Sequence, residues 1–450
     1  MNVEIRPQSS SISLKDVSRP ISPPPDKSIF HRLLIIGSLT SSTIRIPISA
    51  IEDLPTDIIS TILALQSLGV PIEISRSEIE LQGVGFGGYH KPKHQINCGN
   101  SGTTARLFMG LLCGQKFSSN LTGDSSLSSR PMKRLADLLN AELGANIITS
   151  SDGKMPVIIS GKVLRPGNVN LPVASAQMKS ALLLAGLHTE GTVSVTEPNQ
   201  SRDHTERMLG AFGIKIGSNI NTTTITSPQD FTLPAEFTYH VPTDISSAGF
   251  LIGAAIIARK NIILSNVGLN PTRKRFLEIL SASGLGIEIS AIKAEWGEVR
   301  GTIEIFGAES SISKPFEITA VDIPLIIDEI PLLAVLAVFC KGQTNIFHAG
   351  ELRNKESDRI SALVKNLRAF GAMVDERDDG LTIYGDEQFI PNAGTPEHYD
   401  DHRIAMAMTL MSLRSKESVT ISHAEVVSVS YPNFFKDLAT IIGNKRINKI

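Results

Sequence analysis

The chain has 450 residues, of which 20% are charged, and a formal net charge of −2. That length allows two or three domains with real cores, and the near-even charge excludes the broad basic face of a nucleic-acid protein. Cys98, Cys113 and Cys340 form no paired spacing and no leader is recognised, which predicts a reducing, cytoplasmic setting without disulfides. The longest apolar run, IPLIIDEIPLLAVLAVF, is broken by Asp328 and Glu329 and falls short of the roughly 18 residues of a membrane span.

In chain order, the first strong element is PPPDKSIFHRLLIIGSL, residues 23–39. Three prolines run into Asp-Lys-Ser, and an apolar helix follows. Lys27 stands at its start, and Ser28 and Arg32, four apart, share a face. Cations are disfavoured at a helix N-terminus, which already carries partial positive charge, so this placement points to something anionic.

The pattern recurs at NSGTTARLFMGLLCG, SAQMKSALLLAGLHTEG, TDISSAGFLIGAAIIARK, IDEIPLLAVLAVFCKG and DDHRIAMAMTLMSL. Aligned on Lys27, Ser101, Ser175, Asp244, Asp328 and Asp401, the intervals are 74, 74, 69, 84 and 73 residues. A second series alternates with it: PTDIISTILALQSLGVPIEI, RPMKRLADLLNAELGANII, SRDHTERMLGAFGIKI, NPTRKRFLEILSASGLGIEI, KESDRISALVKNLRAFGAMV and YPNFFKDLATIIG. These read as amphipathic helices, and all but the last run through a nearby Gly into a strand. Each unit reads as strand, helix, strand, helix, strand, strand. The expected architecture is α/β: two lobes, each of three βαβαββ repeats with pseudo-threefold symmetry, joined by a two-strand hinge. Residues 25–241 form the central lobe, and residues 1–24 with 242–450 the second, the seams marked by SRPISPPP and YHVPTD.

Near the helix starts lie Lys27, Arg32, Arg106, Arg130, Arg202, Lys355, Arg359 and Arg403. One such cation is ordinarily a solvated surface charge. Eight at equivalent repeat positions suit substrates with several negative charges, since the planar fork of arginine binds phosphate and carboxylate bidentately. Ser175 and Gln177 fit either helix capping or hydrogen bonds to a phosphate or hydroxyl. Asp328, in IIDEIPLLA, and Glu356, between Lys355 and Arg359, are candidates for proton transfer in a cationic cleft; Asp328 also fits an N-cap. GVGFGG, residues 83–88, matches G-x-G-x-x-G but is followed by YHKPKHQ rather than a helix. No Walker A sequence, metal-ligand spacing or G-x-S-x-G elbow is present.

Taken together, PPPDKSIFHR, GNSGTTARL, SSRPM, SAQMKSALL, SRDHTE, IDEIPLLAV, ELRNKESDRI and DDHRIAMA resemble the 5-enolpyruvylshikimate-3-phosphate synthase family over essentially the whole chain, with the SAQ and SRDHTE wording of one subgroup. The resemblance implies two lobes closing on substrate, no metal or organic cofactor, and a monomer acting on small molecules without nucleic acid or membrane. The implied reaction moves the enolpyruvyl group of phosphoenolpyruvate to the 5-hydroxyl of shikimate 3-phosphate in aromatic amino acid biosynthesis. It implies that Lys27, Ser28, Arg32, Ser175, Ala176 (by its backbone), Gln177, Ser201, Arg202, Asp328 and Lys355 bind shikimate 3-phosphate. Lys27, Gly102, Arg130, Gln177, Arg359 and Arg403 would bind phosphoenolpyruvate. Asp328, Glu356 and Lys27 would be catalytic, with Arg106 and His402 lining the site.

The chain departs from the family pattern at two places. Ala176 stands where some members have Ser, and Val429 where many have Lys two residues before the aromatic-Pro pair. Gly102 is retained where glyphosate-tolerant members often carry Ala, which implies sensitivity to glyphosate. Two alternatives compete with this reading. The sister enzyme, which acts on UDP-N-acetylglucosamine, usually has a Cys five residues before Arg-Pro, where this chain has Ser125. A non-enzymatic clamp built of repeats would need a continuous basic surface.

Overall fold

In the computed structural model, which describes residues 1–7, 19–227, 230–309 and 312–450, six helices are apolar on nearly every side. They are Lys27–Ser38, Gly102–Leu112, Ala176–Gly186, Ile245–Ala258, Ile330–Val338 and His402–Ser412. A helix of that kind has to be surrounded, and every residue of Ile330–Val338 is buried. Five of the six are capped by a side chain accepting from a backbone N–H in the first turn: Asp26, Ser101, Ser175, Asp244 and Asp401. The repeat register therefore differs by one residue from the sequence alignment at two places. Asp26 rather than Lys27 occupies the first cap position. Glu329 rather than Asp328 occupies the fifth, with no capping bond of its own.

The second series, Thr56–Ser67, Lys133–Leu143, His204–Ala211, Arg275–Ala282, Arg359–Ala369 and Phe434–Ile442, consists of helices with one exposed face. Each ends at or beside a glycine of positive φ: Gly69, Gly144, Gly213, Gly284, Gly371 and Gly443, with φ between 70° and 110°. Only glycine takes that conformation without a Cβ penalty. The sixth helix obeys the same rule, contrary to the sequence pattern, because Gly443 leads through a short 3-10 turn into the strand Ile447–Lys449.

By its internal contacts the chain divides into two units: Asp26–Val241 with Ala294–Glu298, and Met1–Pro25 with Pro242–Lys293 and Val299–Ile450. In the first unit three four-stranded sheets repeat one topology. Glu236–Thr238 runs parallel to Thr43–Pro47, which pairs antiparallel with Glu78–Gln82 and through it with Ile72–Ile74. The same order recurs in Ile96–Asn97, Ser118–Thr122, Val157–Ser160 and Ile147–Ile148, and in Gly167–Asn170, Gly191–Thr196, Thr222–Ser227 and Ile216–Asn219. The first repeat thus borrows its leading strand from the far end of the unit. Gly110 lets Gly102–Leu112 and Ala176–Gly186 touch backbone to backbone, since a Cβ there would lie 2.0 Å from the Ala181 carbonyl oxygen.

Residues 294–298 fall within 242–450 in sequence but group with 26–241. Trp296 packs against Phe212, Phe237 and Tyr239 with ring centroids 5.9, 4.5 and 6.2 Å away, and Glu298 pairs with His204 at 2.7 Å.

In the other unit the sheets are three-stranded: Asn261–Gly268, Glu298–Phe306 and Ile287–Glu295; Gly342–Ile346, Gly380–Gly385 and Met373–Arg377; Val419–Ile421, Val3–Ile5 and Ile447–Lys449. The N-terminal strand completes the last repeat, pairing antiparallel with both neighbours. Among the described residues, the leading strand of the first of these repeats is reduced to isolated parallel bridges, Ile21 to Leu264 and Thr243 to Val267. Prolines at 23, 24 and 25 deny that segment a longer ladder. Of the stretch 1–24, residues 8–18 lie outside the described residues.

Candidate active site

Within the unit of 26–241, the chemistry-bearing residues gather at the N-terminal ends of three leading helices. Lys27 opens the first, and its ammonium is held 2.9 Å from Asp57 Oδ2. Asp57 and Thr61 stand one turn apart on Thr56–Ser67 and meet Lys27 and His31, also one turn apart. From His31 Nδ1 a hydroxyl chain runs to Thr61 (2.7 Å), Thr104 (2.6 Å) and Ser101 (2.7 Å). Thr104 gives its one hydroxyl proton to Ser101, so Thr61 donates to Thr104 and His31 Nδ1–H donates to Thr61. Burial, then Lys27 and Arg32, push the His31 pKa well below its usual value. The neutral imidazole thereby links the Lys27 helix to the cap of the Gly102 helix.

Arg32 is almost wholly buried. Its guanidinium donates to Thr205 Oγ1 (2.7 Å), the Ser28 carbonyl (2.9 Å) and Ser180 Oγ (2.7 Å). Burial lowers its pKa to about 10, against the pull of Glu206, and Arg202 lies near enough to lower it further. Arg202 itself sits just before the helix His204–Ala211, half-buried.

The second and third leading helices are joined by Gln177. It accepts from Arg106 at 2.7 Å and donates to Thr103 at 3.0 Å. Arg130, buried, reaches Asn100 Oδ1 at 2.6 Å and Ser126 Oγ at 3.0 Å. A Cβ on Gly102 would lie 2.8 Å from Arg106 Nη1 and 3.2 Å from Arg130 Nη1, so the glycine keeps both guanidinium groups close to that helix start. Ser175 caps the third helix, Ala176 is its first residue, and Ser201 is linked to Ser175 through Glu197.

In the unit of 242–450, one arginine organises the cluster. Arg359, the first residue of its helix, is fully buried and donates to three carboxylates: Asp401 at 2.7 Å, Asp328 at 3.2 Å and Glu356 at 2.6 Å. Burial alone would lower its pKa, but Asp401, Glu356 and Asp328 raise it overall. Arg403 donates to the Asp328 carbonyl at 3.0 Å and lies 3.7 Å from its carboxylate. Asp328 does not cap a helix. Glu329 takes the position before the first turn, and the Asp328 side chain turns to the two arginines. Lys355, half-buried, follows the 3-10 turn Gly350–Asn354, and His402 is buried at the start of its helix. Val429 ends the 3-10 turn Ala424–Val429.

Lys27, Ser28, Arg32, Gly102, Arg130, Ser175, Ala176, Gln177, Ser201 and Arg202 thus belong to one unit. Asp328, Lys355, Glu356, Arg359 and Arg403 belong to the other. Sequence reasoning missed the partners that fix them. Asp57 carries a signal, as it stands in the PTD that opens a second-series helix. Lys179 and Glu206 lie within SAQMKSALL and SRDHTE but nothing in those motifs pairs them, and Glu197 carries no signal; the folded chain brings the three together.

A family model described as EPSP synthase (3-phosphoshikimate 1-carboxyvinyltransferase) matches residues 13–438. A 3-phosphoshikimate 1-carboxyvinyltransferase of Bacillus subtilis is 41% identical over 418 residues, covering 92% of this chain and 95% of that protein. One from Geobacillus thermodenitrificans is 42% identical over 422 residues, covering 93% and 95%. A solved EPSP synthase from Acinetobacter baumannii superposes with a TM-score of 0.81 at 36% identity over 100% of both chains.

Proposed function

The chain belongs to the EPSP synthase family, and from that membership we propose that it transfers the enolpyruvyl group of phosphoenolpyruvate to the 5-hydroxyl of shikimate 3-phosphate. The 5-oxygen bonds to C2 of phosphoenolpyruvate while C3 gains a proton, giving a tetrahedral intermediate. The C2–O bond to phosphate then breaks and C3 loses a proton, restoring the double bond. Every step needs a proton moved at oxygen or carbon beside concentrated negative charge, which calls for carboxylates and guanidinium groups together.

The observation that carries the reading is the Arg359 cluster, in which Asp328 and Glu356 are held by one guanidinium. We assign Asp328 to accept the 5-hydroxyl proton, Glu356 to exchange the proton at C3, and Arg359 and Arg403 to hold phosphoenolpyruvate. Lys355 and Asp328 take the hydroxyls of shikimate 3-phosphate. In the unit of 26–241 we assign Ser175, the Ala176 amide, Gln177 and Arg202 to its phosphate and ring, with Ser201 supporting that seat, and Ser28 and Arg32 to its remaining polar groups. Lys27, Gly102, Arg130 and Gln177 are assigned to phosphoenolpyruvate. The proposed working form is a cytoplasmic monomer; the burial of all three free cysteines suits a reducing compartment.

Phosphate release from phosphoenolpyruvate tests the proposal, with shikimate 3-phosphate and UDP-N-acetylglucosamine offered separately. Release with shikimate 3-phosphate alone is expected. Release with the nucleotide sugar alone would move the chain to the sister activity.

A further inference from the structure

Glu197 follows the strand Gly191–Thr196 and is 4% exposed. Its Oε1 accepts from Ser201 Oγ at 2.5 Å and from the Ser175 backbone N–H at 3.2 Å. Its Oε2 accepts from the Ser201 N–H at 3.3 Å and faces Lys179 Nζ at 2.7 Å. Lys179 is 3% exposed, stands one turn beyond Ser175 on the same helix, and also pairs with Glu206 at 2.8 Å. Two glutamates thus take up its charge, and although burial opposes the ammonium, Glu206 and Glu197 raise its pKa.

A serine hydroxyl has one proton to give. In Ser201 that proton is on a buried carboxylate, and a charge-assisted bond of this length is stronger than a neutral one. A phosphate would have to break it to be served by the same hydroxyl. The residue next in the chain, Arg202, carries several N–H donors, so it can meet a phosphate while keeping another partner.

On the proposed function, we infer that Glu197 is a positioning residue for the phosphate of shikimate 3-phosphate. Ser201 acts with it as a clamp rather than as a phosphate donor. The carboxylate ties the 201–202 segment to the cap of Ala176–Gly186, fixing Arg202 relative to Ser175 and the Ala176 amide. Lys179, shared with Glu206, offsets part of the carboxylate's charge, so the anion seat gains rigidity with a reduced negative charge behind it.

Calorimetry with shikimate 3-phosphate and with unphosphorylated shikimate tests this on Glu197→Gln, Ser201→Ala and the double variant. Each single change should weaken shikimate 3-phosphate about tenfold and leave shikimate within about twofold, and the double variant should match the singles. Additive losses, or unchanged shikimate 3-phosphate affinity in Glu197→Gln, would overturn the clamp. So would an equal loss for both ligands, which is what a merely structural residue gives. Ser201→Thr, which keeps the hydroxyl, should restore affinity. Should Glu197→Gln not fold, the wild-type complex decides. Ser201 Oγ should stay within hydrogen-bond reach of Glu197, and an Oγ bonded to phosphate instead refutes the proposal. A wild-type protein that does not bind shikimate 3-phosphate defeats the functional reading itself, whereas normal binding with additive variants defeats only the clamp.

Discussion

The two units hold their arginines differently. In 26–241 three guanidinium groups near the leading helix starts donate to neutral oxygens, whereas Arg45 and Arg207 pair with carboxylates. Arg32 is held by Thr205, Ser180 and a carbonyl, Arg130 by Asn100 and Ser126, and Arg106 by Gln177 and a carbonyl. In 242–450 Arg359 rests on carboxylates, held by Asp401, Asp328 and Glu356, while Arg273 donates to Ser246 Oγ at 2.6 Å with Asp244 and Glu329 farther off at 3.7 and 3.9 Å. Neutral partners fix a cation's position and leave its field to an incoming anion. Carboxylate partners cancel that field but place proton acceptors beside it. One arrangement suits holding a phosphate, and the other suits moving protons.

The largest expected effect probes the proton-moving side. Asp328→Ala should lower kcat by about 10³-fold while changing substrate dissociation constants by less than about fivefold, as for a group acting in the transition state. Single-turnover kinetics alongside calorimetry would separate the two, and an unaltered kcat would remove Asp328 from the chemistry.

Next come the arginines themselves, as a pair. Arg359→Met leaves three carboxylates facing one another without their shared cation, two of them partly buried and Asp401 fully so. That should reduce stability by about 3–5 kcal/mol. Arg32→Met leaves Ser180 and Thr205, which already bond each other at 2.6 Å, and should cost about 1–3 kcal/mol. Denaturant titration of both variants tests the contrast, and equal losses would erase it.

The repeats were legible in the sequence because each leading helix must be apolar on all sides and each second-series helix must turn at a glycine. Both demands act on residue type at fixed spacing. The candidate residues for chemistry stood out where a cation or carboxylate stands against that pattern, as Lys27, Asp328 and Arg359 do. The cap register was not, because Asp26-Lys27 and Asp328-Glu329 each offer adjacent polar residues and only backbone geometry chooses between them. Glu197 was hidden for another reason. It is an ordinary glutamate after a threonine-rich strand, and its importance comes from Lys179 and Ser201, 18 residues before it and 4 after.

A smaller effect is expected at Gly102, on the phosphate-holding side. An added methyl would press on the ends of Arg106 and Arg130, which can shift but then leave Gln177 and Asn100. Gly102→Ala should raise KM for phosphoenolpyruvate roughly tenfold, with KM for shikimate 3-phosphate nearly unchanged. If the wild type is inhibited by glyphosate, as the retained glycine implies, the inhibition constant should rise by more than KM does. Parallel changes in both would mean that the methyl reshapes the seat for all anions alike.

The smallest effect concerns acid. His31 is buried and His188 half-buried in 26–241, and desolvation is the first cause that lowers both pKa values, that of His188 to about 4. A histidine whose pKa is lower in the folded state binds fewer protons there than when unfolded, so its contribution to stability is lost as pH falls below about 6.5. For His31 the loss should grow as the pH falls from about 6.5 toward 5. His31→Asn keeps an N–H near the position of Nδ1 and so can still donate to Thr61, but it does not titrate. Comparing denaturant midpoints at pH 7.5 and pH 5, the wild type should lose more stability than the variant. Equal losses would mean that His31 does not stay neutral in the folded chain but takes a proton at Nε2, while its Nδ1–H still donates to Thr61.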